Sequence, residues 1–212
     1  MLTILTNMRN ALIAGFVLAL VVFAIFVFVG GSSNICETLA GSGFWRFVFR
    51  WLHVLLGVLW IGLLYYFNFV QIPMMPKIPD DQKPAVSKFI APEALWYFRW
   101  AAMGTIATGL VLAWLNGYFL SALTVGVAGD AANPYTTLIG IGMWLGAIMW
   151  FNVWFVIWPN QQKALNIDNK FPDLTKDQKA AAGRTAMLFS RANFMLSVPM
   201  LFCMVGAQHL GG

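Results

Sequence analysis

Charge is what this chain has least of. Asp, Glu, Lys and Arg make up 10% of its 212 residues, against roughly 25% in soluble domains. So little charge excludes a globule solvated on all sides by water. Histidine and cysteine are scarcer still, at two each. Cys36 and Cys203 form no CxxC pair, which excludes a covalent c-type haem motif and a thiolate zinc site. Cys203 lies in an apolar run and reads as a small core residue. The two cysteines are expected at different depths, which argues against a disulfide between them. Phosphate-cradling loops, nucleophile elbows and nucleotide fingerprints are missing. The formal charge of +5 does not point to nucleic acid, because basic residues in so apolar a chain are first topology signals.

Apolar residues are abundant, at 60%, with 18 Phe, 10 Trp and 11 Met. They fall into five runs, each near the ~20 residues that a membrane-crossing helix needs. The first is 11–29, closed by Gly30 to Asn34. It exceeds the core of a signal peptide and lacks a clean cleavage site. The second is Trp45 to Pro73, the third Glu93 to Leu115, the fourth Thr136 to Trp158 and the fifth Arg191 to His209. The fold class is therefore all-α, an integral membrane bundle of five transmembrane helices in one domain, 1–212. A four-helix core at 45–210 carries a peripheral first helix.

Pro73, Pro76, Pro79, Pro84 and Pro92 crowd the connector between the second and third spans. They predict an ordered, extended loop. Thr175 and Gln178 have capping-box spacing, which would start the fifth helix near Lys176, outside the bilayer. Pro199 inside that helix predicts a kink. Eleven of the thirteen Lys and Arg lie at the N-terminus or in the 71–100 and 159–192 connectors, and the other two are Arg46 and Arg50. This bias places the N-terminus in the cytoplasm and the C-terminus outside.

Arg46, Arg50, His53, Gly57 and Trp60 recur at spacings of four and three, so they share one helix face. Ionisable groups in a membrane helix turn toward a bundle interior or a ligand. His53 and His209, the only histidines, fall at the outer ends of their spans and so in one leaflet. Imidazole is a usual axial ligand of haem iron. The expected cofactor is haem b, with His53 and His209 as metal ligands. Gly57 would leave room for the ring, Trp60 would shape the pocket, and Arg46 and Arg50 would meet the propionates. Two alternatives stay open. One is interfacial histidines and snorkelling arginines with no cofactor. The other is a bare metal ion, which would be poor in ligands here.

A second constellation gathers at the other ends of the spans: Asn68, Glu93, Arg99, Asn152, Arg191 and Asn193. It reads either as a site for an anionic or quinone-like substrate or as ordinary helix-end closure. Trp45, Trp51, Trp96, Tyr97, Trp100, Trp114, Tyr118, Tyr135 and Trp158 fall where interfacial belts belong, and Trp60, Trp144 and Trp150 lie deeper. Trp60-x-Gly62-x4-Phe67-Asn68 recurs as Trp144-x-Gly146-x4-Phe151-Asn152. The echo reads as two related hairpins, or as a chance match of a short motif. It makes the second and fourth spans candidate neighbours at Gly62 and Gly146.

At WLHVLLGVLWIGLLYYFNFVQIP, PEALWYFRW, FNVWFVIWPNQQK and SRANFMLSVPMLFCMVGAQH the chain resembles the membrane domain of the bacterial urate oxidase N-terminal family, the membrane-bound urate hydroxylases. A shorter likeness, a His early in a helix followed by Trp and Gly, is to membrane protoporphyrinogen oxidases and copper-resistance membrane proteins. The first resemblance implies a bundle in a bacterial inner membrane, with the C-terminus then periplasmic, and a redox role such as that of a membrane oxidoreductase; it points to His53, Arg99, Asn152, Arg191, Asn193 and His209. Members of that family end in a cytochrome c domain, and no CxxCH occurs here. The implied partners are the lipid bilayer and another redox protein or a larger membrane complex. A cofactor-free accessory subunit is the rival expectation.

Overall fold

A computed structural model of the chain describes residues 6–29, 39–127 and 134–210. The expected stop at Gly30 to Asn34, and Cys36, lie outside the described residues. The described residues form helices and no strands. Five helices are long and apolar enough to cross a membrane: α1 (Met8–Val29), α2 (Ser42–Lys77), α3 (Lys83–Leu115), α5 (Pro134–Leu165) and α6 (Lys176–Leu210), with a short α4 (Phe119–Leu123) after α3. This is an all-α, multi-pass membrane protein.

The chain divides into two compact units, Met1–Trp45 and Arg46–Gly212. In the first, α1 is an almost uniformly apolar helix, and Phe23 packs on Phe44 with ring centroids 5.4 Å apart. In the second, the core is aromatic and aliphatic. Trp60, Leu64, Phe67, Leu95, Phe98, Met149 and Val153 are buried together. Trp114, Leu188, Met195, Val198 and Phe202 remain exposed. That exposed apolar surface is the face a bilayer requires, because lipid tails solvate what water would not.

The proline-rich connector is not an extended loop. Helix runs on to Lys77 and resumes at Lys83, leaving only 78–82 outside it. The reason is a wide π turn ahead of a proline, used three times. Phe67–Gln71 precedes Pro73, Val86–Ile90 precedes Pro92, and Asn152–Ile157 precedes Pro159. In each case the residue just before the proline donates its N–H five residues back: Ile72 to Phe67, Ala91 to Val86, and Trp158 to Val153. A proline ring clashes with the carbonyl four residues earlier and leaves it without a donor. The extra residue in the turn carries the chain past that conflict.

The capping box forms as expected. Gln178 N–H donates to Thr175 Oγ1 (3.2 Å) and Thr175 N–H donates to Gln178 Oε1 (2.9 Å). α6 starts at Lys176 and stays one continuous helix through Pro199.

The echoed glycines do not bring α2 against α5. A Cβ at Gly62 would meet nothing within 4 Å, and one at Gly146 only Ile106 Cδ1 at 3.9 Å. Both glycines instead border a cavity. The close neighbour of α5 is α6, where a Cβ at Gly142 would lie 3.1 Å from Cβ of the buried Cys203. Small residues on α5 and α6 let these two helices approach each other, and α2 does not close on Gly146.

Candidate functional site

The space left beside α2 is a cavity of about 720 Å³, bounded by α2, α3, α5, α6 and the α4 segment. That volume suits a cofactor-sized ligand. Its walls are mostly apolar and unusually smooth, since Gly57, Gly62, Gly109 and Gly146 all border it. Arg50, His53, Gly57 and Trp60 from the face marked out on α2 border it too. His209 comes to the same cavity from the last turn of α6. The two histidines, 156 positions apart in the numbering, therefore border one space. They make no hydrogen bond to each other.

His53 is held in place. Its Nδ1 lies 2.9 Å from the carbonyl oxygen of Thr105 and 3.3 Å from Thr108 Oγ1. A carbonyl can only accept, so Nδ1 carries the proton and donates it. That tautomer leaves Nε2 with a free lone pair. Thr105 and Thr108 turn their hydroxyls to α3's own carbonyls, Ala101 for the first and Gly104 and Thr105 for the second. Gly109 completes the seat, because a Cβ there would lie 2.9 Å from His53 Cε1. His209 is exposed at the rim.

Arg46 does not border the cavity. Its Nε donates to the carbonyl of Leu115 (3.1 Å), closing the C-terminal end of α3. Arg50 is thus the arginine of the pair that reaches the cavity. Tyr118 and Tyr135 form an edge-to-face pair at the same end, with centroids 5.4 Å apart. Burial first, and then the neighbouring Tyr135, push the Tyr118 phenol above its ordinary range, so it stays neutral. Across the mouth, Trp144 Nε1 donates to the carbonyl of Leu123 (2.9 Å) and ties α5 to α4.

The second constellation separates into three parts. Asn68 donates to Ser190 Oγ (2.9 Å) and to its own helix at Leu64 (2.8 Å). Asn152 donates to Asn193 Oδ1 (2.8 Å), and Asn193, fully buried, donates to the carbonyl of Met149 (2.9 Å). These amides clamp α2 and α5 to successive turns of α6. Glu93 and Arg191 are exposed and join neither pair. Arg99 lies over Trp158, 3.7 Å from the ring centroid, and over Trp154 at 5.1 Å.

Thr105, Thr108, Gly109, Tyr118, Tyr135, Gln208 and Ser190 were not legible as site or clamp residues from the sequence. The threonine and glycine spacing on α3 was the available signal, since 105, 108 and 109 share one helix face. Among the described residues, no group of three or more His, Cys, Asp or Glu side chains is placed to hold a metal ion. A bare metal would have two imidazoles at most. Comparison of the chain with family models, with curated proteins and with solved structures found no match in any of the three.

Proposed function

We propose that this protein binds haem b in the cavity beside α2 and takes part in electron transfer or oxidoreduction in a bacterial inner membrane. One observation carries the reading. Both histidines of the chain border a single apolar cavity, and one of them has its Nδ1 locked by a backbone carbonyl. A metal-bound imidazole ordinarily donates its other N–H to such a partner, which fixes the ring and raises its basicity.

The residues present fit the group. His53, through Nε2, and His209 would hold the iron. Arg50, at the cavity edge, supplies a cation for a propionate. The four glycines leave room beside the ring, and Trp60, Ile139 and Met200 give the cavity apolar walls. When bound, haem supplies one-electron redox chemistry whose potential depends on axial ligands and burial. Thr105 orients His53 through its carbonyl, and the neutral Tyr118 adds no charge of its own to the cavity.

The charge bias supports a cytoplasmic N-terminus and a cavity near the periplasmic face. The resemblance to the membrane domain of urate hydroxylases agrees with a redox role and belongs to the same proposal. Electrons would be exchanged with another redox protein.

Absorbance and iron content of the purified protein test this. A Soret band that is lost or shifted in both His53→Ala and His209→Ala is the expected result. A colourless, iron-free protein, or a band unchanged by both substitutions, overturns it. A colourless protein that co-purifies with partner chains would favour the accessory-subunit reading instead.

A further inference from the structure

A second feature lies away from the cavity and does not depend on haem. Arg99 borders no part of the cavity. It takes part in none of the ion pairs or side-chain hydrogen bonds found among the described residues, and its Nε is buried without an acceptor. Its guanidinium rests on the faces of Trp158 and Trp154. Nε1 of Trp154, one of the two indoles beneath it, is also buried without an acceptor, while the unpartnered buried acceptors, Asn68 Oδ1 and Gln71 Oε1, make no hydrogen bond to Arg99. A cation–π contact stabilises the charge but leaves the N–H groups unanswered. A fixed cation whose N–H groups have no acceptor in the protein is suited to an oxyanion.

Depth narrows the ligand. Arg99 is sixteen residues from Leu115, where α3 ends beside the cavity. At about 1.5 Å per residue that is about 24 Å along the helix, within a hydrocarbon layer about 30 Å thick. Arg99 therefore sits close to the opposite membrane face. Trp96, Tyr97 and Trp100 on its own helix, and Trp158 beside it, are half-buried or exposed as an interfacial belt would be. Phosphate oxygens are the anions found at that depth. The planar guanidinium fork suits them better than an ammonium would.

We propose that Arg99, backed by Trp154 and Trp158, binds a phosphate oxyanion at headgroup depth, on the membrane face opposite the cavity. The phosphate comes either from an anionic phospholipid or from a phosphorylated solute.

The test uses the full-length protein in detergent and counts retained lipid by native mass spectrometry. Phosphatidylglycerol is compared with a diacylglycerol of the same chains, which lacks phosphate, and inorganic phosphate is added as competitor. Phosphatidylglycerol should be retained at least tenfold more tightly than diacylglycerol. Arg99→Gln should remove that preference, Arg99→Lys should keep part of it, and Arg184→Gln, at an exposed arginine outside both candidate constellations, should leave it within twofold. Displacement by millimolar inorganic phosphate identifies a solute site, and resistance to it identifies a lipid site. Equal retention of the two lipids by the unmodified protein overturns the proposal without any variant having to fold. So does a preference that survives Arg99→Gln, or one lost equally in Arg184→Gln. Loss of the Soret band in histidine variants bears on the cavity alone, so the two readings fail separately.

Discussion

The two ends of the Arg46–Gly212 unit are built on opposite principles. At one end, α2, α3, α5 and α6 leave about 720 Å³ open between them. At the other, the space is filled by Phe67, Phe98, Met149, Val153 and Ile157, and amides close the gaps from Asn68 to Ser190 and from Asn152 to Asn193. Glycine serves the open end in two ways. At 57, 62 and 146 it borders empty space, whereas at 140 and 142 it admits a neighbouring backbone or side chain. Stability should therefore reside in the filled end and in the contacts that close the cavity, and the proposed haem chemistry in the open one.

Substitutions at the two ends should separate these roles. Gly140→Leu should do most damage. A Cβ there would overlap the carbonyl oxygen of Ala122, which is backbone and cannot swing aside. α4 would be pushed off α5, at a cost of about 3 kcal/mol, or a fall of roughly 6–12 °C in Tm. Asn193→Ala comes next. It strands the Asn152 amide and the Met149 carbonyl in a site that water does not reach, and should cost about 2 kcal/mol in thermal unfolding. Thr175→Ala removes one half of the capping box and should cost about 1 kcal/mol by the same measurement. Gly57→Leu should leave stability unchanged or raise it by up to about 1 kcal/mol, because glycine is a poor helix residue and the nearest obstacle to a Cβ is Thr105 Cγ2 at 3.9 Å. The same variant should abolish the Soret band by filling the cavity. If Gly57→Leu destabilises as much as Asn193→Ala, the contrast between the two ends is wrong.

Much of this was legible from local rules. Length and hydropathy located all five spans within a few residues at most ends. Thr175 and Gln178 announced the start of α6, since a capping box is a four-residue device. The spacing of Arg50, His53, Gly57 and Trp60 put them on one face, and that face borders the cavity. Arg46 shares the spacing but lies beyond the cavity, beside the end of α3. Nothing in the α2 sequence could show that Leu115 would offer it a carbonyl.

The prolines were misread for a similar reason. Pro73 and Pro92 forbid an ordinary α-turn bond, and an extended loop is one way to satisfy that rule. A π turn is another, and packing of the flanking aromatic segments keeps the chain helical enough to use it. The echo around Gly62 and Gly146 was also visible, but the partner of each glycine was not.

The sequence by itself determined that this protein lives in a bilayer, how many times it can cross, and which side chains share each helix face. Those properties follow from the transfer of apolar residues into lipid and from the fixed pitch of a helix. The tertiary structure alone decided which faces meet. Through that choice it determined that His53 and His209 share a cavity, that Asn193 is buried against Asn152, and that Arg99 rests on two indoles. Such pairings depend on the whole set of close approaches that glycine, alanine and proline allow between helices. No single helix carries that information.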